Sequence, residues 1–108
     1  NENLWELVVP FGHTPQKWGA GGEIEIWTST DKGKNWTKEK AITKSSEFNH
    51  SYVRKVIDGR SPFIFFWADG NPHEFSKSQL YFGDLDGNVF RLPYIMKDDF
   101  DKPQRISF

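Results

Sequence analysis

The sequence has no cysteine, which excludes disulfide scaffolds, thiolate-ligated zinc and thiol catalysis. It has no excess of charge of either sign: 14 Lys and Arg stand against 15 Asp and Glu. The halves are as even, with 6 positive and 7 negative side chains over 1–48 and 8 of each over 49–108. A surface that tracks phosphates is usually basic, so nucleic acid is not an expected partner. No apolar run approaches the roughly 20 residues of a membrane-spanning helix. There is one Met, and Leu and Ala are few, which argues against a helical bundle. No secretory leader is evident, and the start at Asn1-Glu2-Asn3-Leu4 reads as an excised piece.

Aromatic rings are abundant instead. Five Trp, three Tyr and ten Phe stand in 108 residues. With 9 Gly and 6 Pro, the composition points to short strands joined by turns. Seven segments read as strands: Leu4 to Phe11, Glu23 to Ser29, Trp36 to Ile42, Ser51 to Ile57, Pro62 to Ala68, Gln79 to Leu85 and Asn88 to Leu92. Glu23 to Ser29 alternates strictly, with Ile24, Ile26 and Thr28 on one face. Phe63-Ile64-Phe65-Phe66-Trp67 is continuously apolar, so that strand is expected to be covered on both faces. Asp86-Gly87 is a two-residue hairpin signal. Arg105 to Phe108 can add an edge strand.

A shift of about 54 residues superposes Ile26-Trp27 on Leu80-Tyr81, Gly33 on Gly87, Trp36 on Phe90 and Phe11 on Phe65. Two related β units are therefore expected, the first over 1–43, the second over 44–93, with a tail or edge strand over 94–108. The first would lack its innermost strand.

Residues 29–36 read Ser29-Thr30-Asp31-Lys32-Gly33-Lys34-Asn35-Trp36, the pattern Ser-x-Asp-x-Gly-x-x-Trp. Ser29 and Asp31 can accept hydrogen bonds from turn N–H groups. Gly33 can take positive φ, and Trp36 can pack its ring on the hairpin. This resembles the Asp box of BNR-repeat, sialidase-like β-propellers. The resemblance spans roughly 20–95 through Gly21 to Ser29, Asn49 to Arg54, Phe66 to Pro72, Leu80-Tyr81-Phe82 and Val89 to Pro93. It is to the bacterial subgroup that holds neuraminidase-like proteins and propeller-type polysaccharide lyases. In the second unit Gly83 and Leu85 stand where the Ser and Asp belong, so its Asp box is expected to be degenerate.

The resemblance implies an all-β fold of two antiparallel four-stranded blades, the first incomplete, within a larger propeller. It implies a secreted protein, extracellular or periplasmic, that binds or processes an acidic glycan with no cofactor. It makes Ser29, Asp31, Gly33 and Trp36 structural. It also gathers the loops 12–22, 43–49 and 68–78 on one face, with His13, His50 and His73 in or beside them.

His50, Tyr52 and Arg54 recur every second residue, so strict alternation would aim them together. Arg54 could hold a sugar carboxylate and a Tyr52–His50 pair could move protons, which makes these three the expected catalytic set. The bland reading is that Tyr52 and Arg54 pack between blades while His50 caps a loop. His13, Lys17, Trp18, Asp69 and His73 are the expected sugar contacts, with Trp18 as a stacking platform or as blade packing. Three dispersed His residues and the acidic run Asp98-Asp99-Phe100-Asp101 lack metal-ligand spacing, so no metal site is expected. The chain alone is expected to be inactive as an enzyme, since such active sites collect residues from several blades. It would pair with the remaining blades or with itself. A non-catalytic glycan-binding or protein-interaction module is the alternative.

Overall fold

The computed structural model describes residues 3–108; the first two residues of the first expected unit lie outside it. Among the described residues there are eight β-strands and no helix: β1 (Trp5–Val9), β2 (Glu25–Ser29), β3 (Thr37–Ala41), β4 (Asn49–Lys55), β5 (Phe65–Gly70), β6 (Leu80–Gly83), β7 (Val89–Arg91) and β8 (Gln104–Ile106). They form two antiparallel sheets, β1-β2-β3 and β4-β5-β6-β7-β8. The fifth strand of the second sheet comes from the tail, where Arg105 pairs with Phe90. No helix of the described residues is long and apolar enough to cross a membrane.

The core follows from alternation. Ile24, Ile26 and Ile42 of the first unit form one buried cluster with Phe65, Trp67, Tyr81 and Val89 of the second sheet. Trp67 and Tyr81 stack with ring centroids 5.4 Å apart, and Phe65 lies 5.6 Å from Trp67. The β5 run is covered unevenly. Phe65 and Trp67 are buried, whereas Phe66 is half-buried on the opposite face, near Phe82.

A narrow joint connects the sheets. Gly22 and His50 exchange two backbone hydrogen bonds of 2.9 Å. Gly21 makes room for this with φ of +90°, and a Cβ there would stand 2.3 Å from the His50 carbonyl. Within the first unit, the Thr43 hydroxyl accepts from the Ile24 N–H at 2.9 Å and donates to Glu23 Oε1 at 2.8 Å, fixing the chain that leaves β3 beside the start of β2.

The two hairpin turns at the opposite end are built alike. Asp31 Oδ1 accepts from the Asn35 N–H at 2.8 Å and Oδ2 from the Asn35 amide at 2.7 Å. Asp84 Oδ1 accepts from the Asn88 N–H at 3.0 Å and Oδ2 from the Asn88 amide at 2.9 Å. Each carboxylate also takes a serine hydroxyl, from Ser29 at 2.8 Å and from Ser61 at 2.7 Å. The second turn thus repeats the aspartate's hydrogen bonds, while its box stays degenerate in sequence, the serine coming from Ser61 and not from the preceding strand. Its aspartate sits one residue from the position that a shift of 54 assigns, and the turns superpose at Asp31 on Asp84 and Asn35 on Asn88. The Phe11–Phe65 equivalence fails as well, because Phe65 is buried in β5 while Phe11 is exposed beyond β1.

In the first turn Gly33 has φ of +87° and donates its N–H to Ser29 Oγ at 2.8 Å, while the Trp36 indole closes onto the Gly33 carbonyl at 3.0 Å. The hydrogen bonds from Asn35, then that from Ser29, hold Asp31 down at about 2. Burial pushes Asp84 up, but the bonds from Asn88 and Ser61 outweigh it and leave it below the usual carboxylate value. These carboxylates organise turns and leave no chemistry to spare.

Candidate functional site

The end of the molecule opposite those turns is where the loops meet. Asn49, 1% exposed, is the fastener. Its Oδ1 accepts from the Gln16 N–H at 2.8 Å, and its amide donates to the carbonyls of Gln16 at 3.0 Å and Ala20 at 3.1 Å. A second fastener is His73, whose Nε2–H donates to the Lys17 carbonyl at 2.8 Å. Asn71 braces that loop, accepting from the His73 N–H at 2.9 Å. Residues 12–22 and 70–78, far apart in sequence, are thereby held as one surface.

A groove of about 370 Å³ runs along this surface between Ala20, the start of β4, the end of β5 and Ser78. Tyr52 lines it and stands 70% exposed. A β-bulge lies behind this. Ser51 pairs with Ala68 and Arg54 with Phe66, so Tyr52 and Val53 together oppose Trp67. Tyr52 takes φ of +61°, an uncommon conformation for a bulky residue that costs about 1–3 kcal/mol. Trp18, 96% exposed and at φ of +67°, stands on one adjoining loop. Phe75, fully exposed, stands on the other.

The bulge also separates the three residues that strict alternation would aim together. His50 pairs with Asp69 and faces the core. Arg54 pairs with Phe66 on the other face, and its guanidinium donates to the Val53 carbonyl at 3.1 Å. The extra residue in β4 reverses the alternation beyond it. Tyr52 alone of the three lines the groove.

His50 has both ring nitrogens engaged. The Trp67 indole can only donate, so Nδ1 accepts from it at 2.8 Å and the proton rests on Nε2, which donates to Ser46 Oγ at 2.9 Å. Burial holds the His50 pKa below its ordinary 6.5, against the pull of the Asp69 and Glu23 carboxylates. At neutral pH the ring is a wired, uncharged part of the core.

Next to it lies a smaller pocket of about 160 Å³. Asp69 is fixed there, Oδ1 accepting from the Gln79 N–H at 2.8 Å and Oδ2 from the Tyr81 hydroxyl at 2.7 Å. Burial, followed by that carboxylate, pushes the Tyr81 phenol well above its usual value, while Arg91 beside it pulls the other way. Phe108 covers the pocket, its ring 5.8 Å from His50 and 6.2 Å from Tyr81.

A third hollow, about 540 Å³, adjoins His13, Glu23, Glu25 and Lys38. Its carboxylates are occupied by Thr43, the Ser46 N–H, the Trp27 indole and Lys38. His13 is thus on a different surface patch from the Tyr52 groove, and Lys17 contributes its carbonyl through His73. Among the described residues no three His, Asp or Glu side chains converge as metal ligands.

Sequence reasoning missed Asn49, Phe75, Tyr81 and Arg91. Tyr81 was legible in part: it faces Trp67 across the β5–β6 ladder, two residues from Asp69. Asn49 carried no signal, because its partners lie 29 and 33 residues away. In comparisons with known proteins, the chain matches no family model, no curated protein and no solved structure.

Proposed function

We propose that this chain contributes two adjacent blades to a propeller-type protein, and that the fastened loop face binds a glycan. The observation that carries the binding reading is Tyr52, held exposed at positive φ in the wall of the groove, with Trp18 and Phe75 exposed on the loops beside it. Backbone strain that leaves a ring in water needs a compensating role. The apolar C–H face of a sugar suits the electron-rich face of a ring, and the sugar hydroxyls suit the polar groups around it. The blade reading draws on the two antiparallel meanders and their matching Asp–Asn turns.

Calorimetric titration against a panel of oligosaccharides tests the binding reading. At least one sugar should bind, and Tyr52→Ala and Trp18→Ala should each weaken it by roughly tenfold or more, with circular dichroism unchanged. Binding untouched by both substitutions would sink it.

A second reading, that the protein also processes an acidic glycan, is favoured by Tyr81, Asp69 and Arg91 around one pocket. Arg91 could hold a sugar carboxylate and Tyr81, with its proton retained, could act as an acid. Cleavage of uronate or sialate oligosaccharides that survives Arg91→Ala would exclude this pocket as its site.

A further inference from the structure

We infer that the outer edge of β1 takes a further strand, an extended peptide with apolar residues at alternate positions; this deepens the blade reading above and rests on it. Among the described residues β1 pairs with β2 alone. Its sequence, Trp5-Glu6-Leu7-Val8-Val9, is apolar but for one charge. An open strand edge invites pairing, and proteins usually blunt it with charge, brevity or a bulge. The other free edges are blunted in these ways. β3 carries Lys38, Glu39 and Lys40. β8 is three residues long with Arg105 at its centre. β4 is bulged at Tyr52 and Val53, and its start is already bonded to Gly22. The edge of β1 is regular, apolar and unprotected.

A hollow of about 360 Å³ lies beside it, between β1 and β4, the first strands of the two sheets. Its walls are mostly apolar: Val8 from β1, Val53 from β4, with Ile64 and Leu85. Glu6 and Lys55 add one charge of each sign. Side chains alternate along a strand, so a strand laid along β1 would turn every second residue into this hollow. Apolar side chains suit those walls, and the balance of Glu6 against Lys55 favours a segment without net charge. The second sheet holds the same arrangement completed. β2 and β3 flank the Asp31 turn as β6 and β7 flank the Asp84 turn, so β1 stands where β5 does. On the corresponding side, β5 is paired antiparallel by β4. Backbone pairing would supply affinity, and the hollow would select the alternate side chains.

The probe is a capped peptide of about six residues alternating Val and Thr; its control carries Pro at the centre, which cannot donate to the ladder. Amide NMR titration of the chain should shift β1 and leave β3 and β8 in place. The Pro peptide should bind at least about tenfold more weakly, and Val53→Trp, which fills the hollow from β4, should weaken the Val–Thr peptide by a similar factor. No binding, equal binding of the Pro peptide, or shifts at β3 or β8 in place of β1 would overturn the inference and leave the blade reading standing. Dimers of the peptide-free chain in light scattering, with the β1 amides already protected from exchange, would overturn both, since β1 paired with β1 makes one continuous sheet and not a blade. Should Val53→Trp misfold, the Pro control and the position of the shifts still decide.

Discussion

His50 shows how the surroundings of a residue decide its chemistry. Taken alone, a histidine two residues before a tyrosine suggests acid–base work. In the fold it is 1% exposed, accepts from an indole and donates to Ser46. A ring that must stay neutral makes stability depend on pH. Its folded pKa lies below 6.5, so the unfolded chain binds the proton more readily. The contribution of His50 is therefore fully present above pH 6.5 and is lost as the pH falls toward the folded pKa. Urea midpoints at pH 7.5, 6 and 5, followed by tryptophan fluorescence, should decline across that window. In His50→Gln the decline should be smaller. A midpoint that is flat from pH 7.5 to 5 would contradict this account.

At the scale of the element, β4 is the informative strand. Its bulge puts Tyr52 into the groove wall and turns Arg54 to the face opposite His50. Nothing in the composition of Asn49 to Lys55 announces a bulge, and the alternation of polar and apolar residues is too weak there to reveal one. Tyr52→Gly separates strain from function. Glycine accepts φ of +61° freely, so stability should hold or rise by up to about 1 kcal/mol while glycan affinity is lost. Thermal melts alongside titrations read both. A clear loss of stability would mean that the ring of Tyr52 is packing material. The Asp–Asn turns are the contrary case. Asp31 through Asn35 was readable because the motif is local, every partner lying within four residues. Its counterpart at Asp84 was hidden by one residue of offset and by a serine 23 positions away.

At the scale of the molecule, two sheets are held by a core of aliphatic and aromatic residues and by the joint at Gly22 and His50. That joint depends on a backbone conformation that only glycine takes easily. Gly21→Val would drive a side chain into the His50 carbonyl and should cost roughly 2 kcal/mol or more. Hydrogen exchange should then show the Gly22 and His50 amides losing protection before the strands themselves. If both amides stay protected and the melting temperature is unchanged, the joint is not what couples the sheets. The same coupling carries the candidate site, since the loop of the first sheet reaches the groove through Asn49, which directly precedes His50.

The sequence by itself determined the all-β class, the position of seven of the eight strands to within a few residues, the tail as a source of an edge strand, and the Asp31 turn. All of these rest on interactions between residues near one another in the chain: alternation, turn glycines and short-range hydrogen bonds. Only the tertiary structure decided that His50 belongs to the core, that Arg54 leaves the face of His50, that Asp84 repeats the role of Asp31, and that Asp69 joins Tyr81. Each of these depends on a strand register or on a partner distant in sequence. A single extra residue in a strand exchanges its two faces, and the pattern of residue types alone does not record where that residue falls.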